Sequence, residues 1–328
     1  MSAIEKRAEV MKAMEAGISG LIKKYLIPVE EIWQPSDFLP DPKSDDFFEQ
    51  VRNLRGESRE LAYDFWIVLI GDMITEEALP TYESWLMGVR GVDQYSANPW
   101  SEWLRQWTAE ENRHGDVLNK FLYLSGRVNM REIEVSTQYL IADGFDLGLD
   151  QDPYRNFVYT SFQELATHIS HKRVGELAQK QGSNQLARMC RTIAGDEMRH
   201  HLAYREFVKQ IIDADASELL VVFADMMKRK IAMPANLLRQ AGQAVGQSFQ
   251  AFADAAQRLG VYTANDYVSI LKILLAHWEV DKLTGLKEQA EKARDYLMAL
   301  PARLDNLSNR LKTPTESVKF SWVDPYGA

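Results

Sequence analysis

The chain is poor in cysteine, in positive charge and in long apolar runs. Its one cysteine, Cys190, excludes a disulfide framework and a cysteine-based zinc site, and it suits a reducing compartment. A net charge of −9 argues against general affinity for nucleic acid or anionic membrane, so neither is expected as a partner. The most apolar runs, Phe65–Ile70 and Ile270–Ala276, fall far short of the roughly 20 residues a bilayer span needs. Strand-period alternation, low-complexity tracts and linkers are all missing. The first residues carry Glu5, Glu9 and Glu15 and no cleavable apolar segment. Transit peptides avoid acidic residues, so this reads as a mature start, and the cytoplasm is the expected compartment. The alternative is the plastid stroma, for a protein expressed without its transit peptide.

What is present is helix. With 328 residues, 46% of them hydrophobic, the chain can bury a sizeable core. Periodicity predicts a helix over 2–26, then an irregular stretch over 27–47 in which four prolines fall within 16 residues. A long apolar helix is expected from Glu57 to about Met87, kinked where Pro80 opposes the Glu76 carbonyl. The next runs from the N-cap Asn98 and Pro99 to Gly126, followed by a shorter one around Arg131–Ala142. Asp152 and Pro153 start a third principal helix, which stops before Gly182, and a fourth spans about 184–212. Further helices are expected near 216–230, 235–259, 264–278 and 286–311, and an irregular segment from Thr313. The expectation is one all-α domain, residues 1–328.

Two of these helices carry the chemistry. Glu111 and His114 form a Glu-x-x-His pair, and Glu197 and His200 form another, each with an arginine just before the histidine. Residues three apart share a helix face, so each pair aims a carboxylate and an imidazole at one point. Both pairs interrupt apolar stripes: Trp100, Trp103, Trp107, Glu111, His114, Leu118 in one, and Ile193, Glu197, His200, Tyr204, Phe207 in the other. A lone candidate carboxylate precedes each pair at similar distance, Glu76 35 residues before Glu111 and Glu164 33 residues before Glu197. Glu77 competes with Glu76, and spacing alone does not choose between them. One Glu-x-x-His means little; two at matched spacing are what a four-helix bundle needs to hold two metal ions.

The charge count agrees. Four buried carboxylates are prohibitive without compensation, and two divalent cations balance them with neutral imidazoles as the remaining ligands. Mixed carboxylate and imidazole ligation suits iron or manganese. Arg113 and Arg199 are expected to pair with nearby carboxylates. Glu110 and Asp196 are candidates to orient the opposite motif's imidazole. His168, His171 and His277 read as structural or surface residues, with His168 the lesser candidate for ligation, and His201 should point elsewhere.

At these residues the sequence resembles the soluble plant-type acyl-(acyl carrier protein) desaturases. The likeness runs through Trp33–Pro35 with Asp37–Pro40, Gly71–Tyr82, Trp107–Gly115, Tyr123–Val128, Tyr159–Glu164, Phe223–Met227, Gly260–Ala264 and Val280–Leu286. It implies a ferritin-like four-helix bundle with additional C-terminal helices, assembled as a homodimer with two iron ions per subunit. By motif position it assigns the ligands to Glu76, Glu111, His114, Glu164, Glu197 and His200, and so chooses Glu76 over Glu77. It implies O2 as oxidant, ferredoxin as electron donor, and a saturated chain on acyl carrier protein as substrate, with stearoyl and position 9 as the leading expectation. The chain would lie in a deep apolar channel. Thr167 matches a threonine beside the oxygen site, and Trp33, Asp196 and His114 match an electron route from the surface. An acidic carrier needs a basic patch, for which Lys228 to Lys230 is the first candidate and Lys23 with Lys24 the second. The sequence departs from the plant pattern in Gly88–Asn98, after Pro234 and in the C-terminal tail. Competing readings are a hydroxylase or a desaturase of another carrier-bound chain. From other classes come a ferritin-like iron- or oxidant-handling protein and a radical-generating reductase subunit using Tyr204.

Overall fold

The computed structural model describes residues 2–146, 148–229 and 231–323. Eleven α-helices are found among them: α1 Ala3–Tyr25, α2 Phe47–Ser58, α3 Tyr63–Glu77, α4 Leu79–Met87, α5 Pro99–Ser125, α6 Met130–Asp143, α7 Pro153–Lys180, α8 Asn184–Arg229, α9 Phe249–Leu259, α10 Ala264–His277 and α11 Glu288–Ser308. Among the described residues the only β pairing is a single bridge between Val128 and Val323. The fold is all-α, and among the described residues no helix is long and apolar enough to cross a membrane.

The bundle is α3, α5, α7 and α8. The α7 and α8 helices pack along one another, as do α3 and α5, while α1 lies across α5, α7 and α8. The later helices surround this core, with α9 on α3, α10 on α7, and α11 on α8 and α10. Helix boundaries follow their signals. The Asn98 side chain accepts from the Ser101 amide at 2.9 Å, and Gly126 ends α5 in the left-handed conformation (φ 66°). Asp152 caps α7 by accepting from the Tyr154 amide at 3.0 Å. Bundle spacing depends on one missing side chain: a Cβ on Gly115 would lie 2.9 Å from the Glu77 backbone nitrogen, so α3 and α5 approach closely beside His114.

Two expectations are corrected. The helix expected from Glu57 to about Met87 falls into three elements, the end of α2, then α3 and α4. Ala62 is extended (φ −67°, ψ 154°), with its amide held by Gln181 Oε1 at 2.8 Å, so α2 stops and α3 begins at Tyr63. A second break, at Ala78 with Pro80 in the first turn of α4, is the interruption expected beside Glu76. The helix expected over 235–259 is only α9, because Gly242 (φ 76°) and Gly246 (φ 75°) take left-handed backbone that a continuing helix does not allow. The helices expected near 184–212 and 216–230 are both present as the two arms of α8, divided by the non-helical backbone of Asp215 (φ −151°, ψ 56°).

Candidate metal centre

Each helix of the bundle sends a carboxylate inward. Glu76 comes from the last turn of α3, Glu111 and His114 from α5, Glu164 from α7, and Glu197 and His200 from α8. They form two overlapping groups, Glu76, Glu111, His114 and Glu197, and Glu111, Glu164, Glu197 and His200, with ligand atoms within 4.8 Å of one another in each. Glu111 and Glu197 belong to both and lie between the two ends. Glu77, by contrast, is half-buried beside Asp116 and Asn119 and outside both groups.

The two ends mirror one another. His114 Nδ1 lies 3.8 Å from Glu76 Oε2, and His200 Nδ1 lies 3.8 Å from Glu164 Oε2. The opposite nitrogens face outward: His114 Nε2 is 3.2 Å from Asp196 Oδ2, and His200 Nε2 is 3.0 Å from Glu110 Oε2. Each imidazole is therefore held by the carboxylate preceding the other motif's glutamate. That leaves Nε2 as the donor and Nδ1 bare toward the centre. Arg199 donates to Glu110 at 2.7 Å and to Asp196 at 2.6 Å, and Arg113 donates to Asp196 at 3.0 Å, as expected from the sequence.

The buried atoms facing the centre decide what it suits. His114 Nδ1, His200 Nδ1, Glu111 Oε1 and Glu197 Oε1 have no hydrogen-bond partner. Yet His200 Nδ1 and Glu111 Oε1 are 2.6 Å apart, and His114 Nδ1 and Glu197 Oε1 3.1 Å. Close lone-pair atoms that are not aligned to bond one another are placed to converge on a third body, and buried polar atoms left unpaired are costly. Oxygen and imidazole donors in this arrangement can hold metal ions.

Protonation without metal shows the same strain. Burial pushes Glu76 up to about 7, although the His171 hydrogen bond opposes it. Burial, with Glu111 and Glu197 close by, pushes Glu164 far above the usual carboxylate range. Burial opposes charge on the imidazoles, but Glu111 outweighs it, raising His114 well above its ordinary value and His200 to about 9. Glu111 is held low: burial would raise it, but His114 and His200 more than offset that. Protons are thus retained where divalent ions would neutralise the same charge.

The remaining predicted residues fall around this centre. Thr167 Oγ1 is 2.5 Å from Glu197 Oε2 and also within reach of the Glu164 carbonyl at 3.0 Å. Trp33 Nε1 donates to Asp196 Oδ2 at 2.8 Å, its ring stacks on His114 (centroids 6.1 Å apart), and Arg113 lies over its face. His168 Nδ1 meets the Ala194 carbonyl and His201 Nδ1 the Ser161 carbonyl, both away from the cluster. His171 is buried, but its Nε2 lies 2.8 Å from Glu76 Oε1, so it touches the centre that the sequence reading kept it from. Its signal was available: Glu164, Thr167 and His171 recur on one face of α7. Sequence reasoning also passed over Trp107 as more than core, although its Nε1 lies 3.2 Å from Glu164 Oε1.

A family model described as fatty acid desaturase matches residues 6–324. The chain belongs to the fatty acid desaturase family. Among members of this desaturase family, a chloroplastic stearoyl-[acyl-carrier-protein] 9-desaturase of Ricinus communis is 48% identical over 324 residues, covering 97% of this chain and 81% of that protein. Stearoyl-[acyl-carrier-protein] 9-desaturase 1 of Arabidopsis thaliana is 48% identical over 325 residues, covering 97% and 82%. An acyl-[acyl-carrier-protein] desaturase of Cucumis sativus is 46% identical over 324 residues, covering 97% and 81%. The X-ray structure of a candidate acyl-ACP desaturase from Mycobacterium tuberculosis superposes with a TM-score of 0.52 at 16% identity, over 87% of this chain and 99% of that one. It supports the ferritin-like fold.

Proposed function

We propose that this desaturase introduces a cis double bond into a saturated acyl chain carried on acyl carrier protein, with stearoyl and position 9 as the leading substrate and site. The observation that carries this reading is the convergence of four carboxylates and two imidazoles on unpaired buried atoms, in a chain 48% identical to stearoyl-carrier desaturases. Glu76, Glu111, His114, Glu164, Glu197 and His200 would hold two iron ions. Bound there, the iron pair supplies the redox chemistry by which O2, two electrons and two protons remove two hydrogens from adjacent methylenes and leave water.

The chain's own residues prepare that chemistry. Asp196 and Glu110 keep the imidazoles in one tautomer and orientation, with Nδ1 inward. Thr167 can hold a proton at Oγ1 against Glu197 Oε2, beside the face where oxygen would react. Burial of all the ligands but the partly covered Glu76 excludes water from an oxidising site. The line from Trp33 through Asp196 to His114 supports the reading of these three as an electron route. Ferredoxin as donor and a homodimer carry over from the resemblance. The protein is read as a single domain, residues 1–328, because α9, α10 and α11 pack against bundle helices.

Of the two basic patches, the end of α8 is favoured for the acidic carrier. Lys228 and Arg229 are exposed there; Lys230 lies outside the described residues. Arg155 and Arg229 border a small cavity of about 30 Å³ lined by Leu149, Tyr159 and Met226, and Tyr159 lies near Glu164 on the same helix. Ligand pockets are usually about 300–1,000 Å³, so side chains here must part for an acyl chain to enter. Lys23 and Lys24 are exposed on α1.

The deciding experiment supplies iron-loaded protein with reduced ferredoxin, O2 and carrier proteins bearing chains of several lengths. Mass spectrometry is expected to show loss of two hydrogens from one favoured chain, with fragmentation locating the bond. Gain of oxygen would make the enzyme a hydroxylase. No product from any chain would overturn the carrier-bound substrate.

A further inference from the structure

We propose that Trp107 gives up electrons to the oxidised centre when no acyl chain is in place. The inference rests on the two-metal reading above. A centre able to take hydrogen from methylenes can also oxidise an indole or a phenol. An indole or phenol that has lost an electron is a strong acid. The aromatic that yields is therefore the one that touches a ligand and has an acceptor for its proton.

The tyrosines beside the proposed ligands have no such acceptor. Tyr82 lies near Glu76, Tyr159 near Glu164, and Tyr204 near Glu164 and Glu111. All three hydroxyls are buried without a hydrogen-bond partner, and Trp103, beside Tyr204, offers only a donor. Two tryptophans do bond a carboxylate. Trp33 Nε1 donates to Asp196 at 2.8 Å, and Trp107 Nε1 donates to Glu164 at 3.2 Å. Trp33, however, carries the Arg113 guanidinium 4.2 Å above its ring, and a cation there opposes positive charge on the indole. The ring neighbours of Trp107 are His200 and Tyr204, at 6.4 and 6.5 Å between centroids. An imidazole serving as a metal ligand is neutral, so neither neighbour raises that barrier.

The step balances. Trp107 loses one electron to the centre and its Nε1 proton to Glu164 Oε1, which leaves a neutral indole radical. Loss of a second electron, with water adding to the ring and one proton released, leaves an indole bearing one extra oxygen. Those two electrons and two protons are what the two methylenes would otherwise supply, so Trp107 competes with the acyl chain.

The test exposes iron-loaded, reduced protein to O2 without acyl carrier protein. One sample is frozen early for electron paramagnetic resonance, and another is digested with trypsin after repeated cycles. Cleavage after Arg105 and Arg113 releases Trp107 in a peptide with no other tryptophan. We expect an organic radical whose spectrum narrows with ring-deuterated tryptophan and not with ring-deuterated tyrosine, and one added oxygen on that peptide. Trp107→Phe, checked for full iron content, should lose both signals, while Tyr204→Phe keeps them. Stearoyl-carrier protein should cut both several-fold. No organic radical in wild type, a tyrosine spectrum, or unchanged signals in Trp107→Phe would each overturn the inference. So would signals that stearoyl-carrier protein leaves undiminished while desaturated product forms. If Trp107→Phe does not hold iron, the labelled wild type and its peptide decide alone. Both signals at Trp107 with no product from any carrier would instead sink the proposed substrate, and fewer than two iron ions in wild type would sink the two-metal reading.

Discussion

Asp196 Oδ2 lies 3.2 Å from His114 Nε2 and accepts from Trp33 Nε1 at 2.8 Å, so one oxygen links the protein's outer layer to the centre. Two arginines also depend on this carboxylate. Its negative charge therefore serves both the imidazole tautomer and a buried ion cluster. Asp196→Asn should weaken metal binding at the His114 end by about 10–100-fold. It should also destabilise the fold by about 3 kcal/mol, because Arg113 is left buried and poorly paired. Urea unfolding and metal titration measure the two effects separately; unchanged values in both would remove Asp196 from the site.

Glu111 and His200 come within 2.6 Å at the middle of the cluster. Replacing either by alanine removes a donor on which both groups, or one entire end, depend. Glu111→Ala should lose binding of the metal pair, and His200→Ala should retain at most one equivalent. Full iron content after reconstitution, read by elemental analysis, would refute the ligand assignment.

Thr167 is different in kind, since its hydroxyl contacts the proposed ligand Glu197 while belonging to neither group of converging residues. Thr167→Val keeps the shape and deletes the hydroxyl. Metal content should remain at two per chain, while product formed per O2 consumed falls several-fold. Tight coupling of O2 use to product in the variant would show that this hydroxyl has no part in the chemistry.

Asp72 provides a pH test away from the ligands. Burial raises its carboxyl from the usual 3.8 to about 6, against the lowering effect of His171. The folded state therefore keeps a proton that the unfolded chain releases, and stability falls as pH rises through about 4 to 6. Asp72→Asn removes this loss. Relative to wild type, the metal-free variant should gain about 2 kcal/mol between about pH 4 and pH 7. A difference that does not change with pH would contradict the shift.

The centre was legible because Glu and His stand in stripes where the pattern demands apolar residues, and every residue in those stripes is buried. Glu110 and Asp196 were legible for a related reason: each is one position from a proposed ligand and so turns toward the neighbouring helix. Across-bundle partners were harder. The pattern of α7 puts His171 on the face of Glu164 and Thr167, but that it meets Glu76 of α3 is a fact of packing between helices. Local errors came from backbone rather than burial. The segment before α9 has helical composition, but Gly242 and Gly246 take conformations that residue composition does not announce.

The reciprocal arrangement, in which α5 supplies the carboxylate behind the α8 imidazole and α8 the one behind the α5 imidazole, also dictates an order of assembly. A growing chain that has emerged only through α5 carries Glu76, Glu111 and His114 but neither Asp196 nor Glu197. Its imidazole is unoriented and its cluster incomplete. Closure waits for contacts spanning more than 80 residues, which form late because long loops must be ordered first. On the proposed metal-binding reading, capture of both ions would wait until the bundle has closed, and a stalled or truncated chain would lack the complete set of ligands.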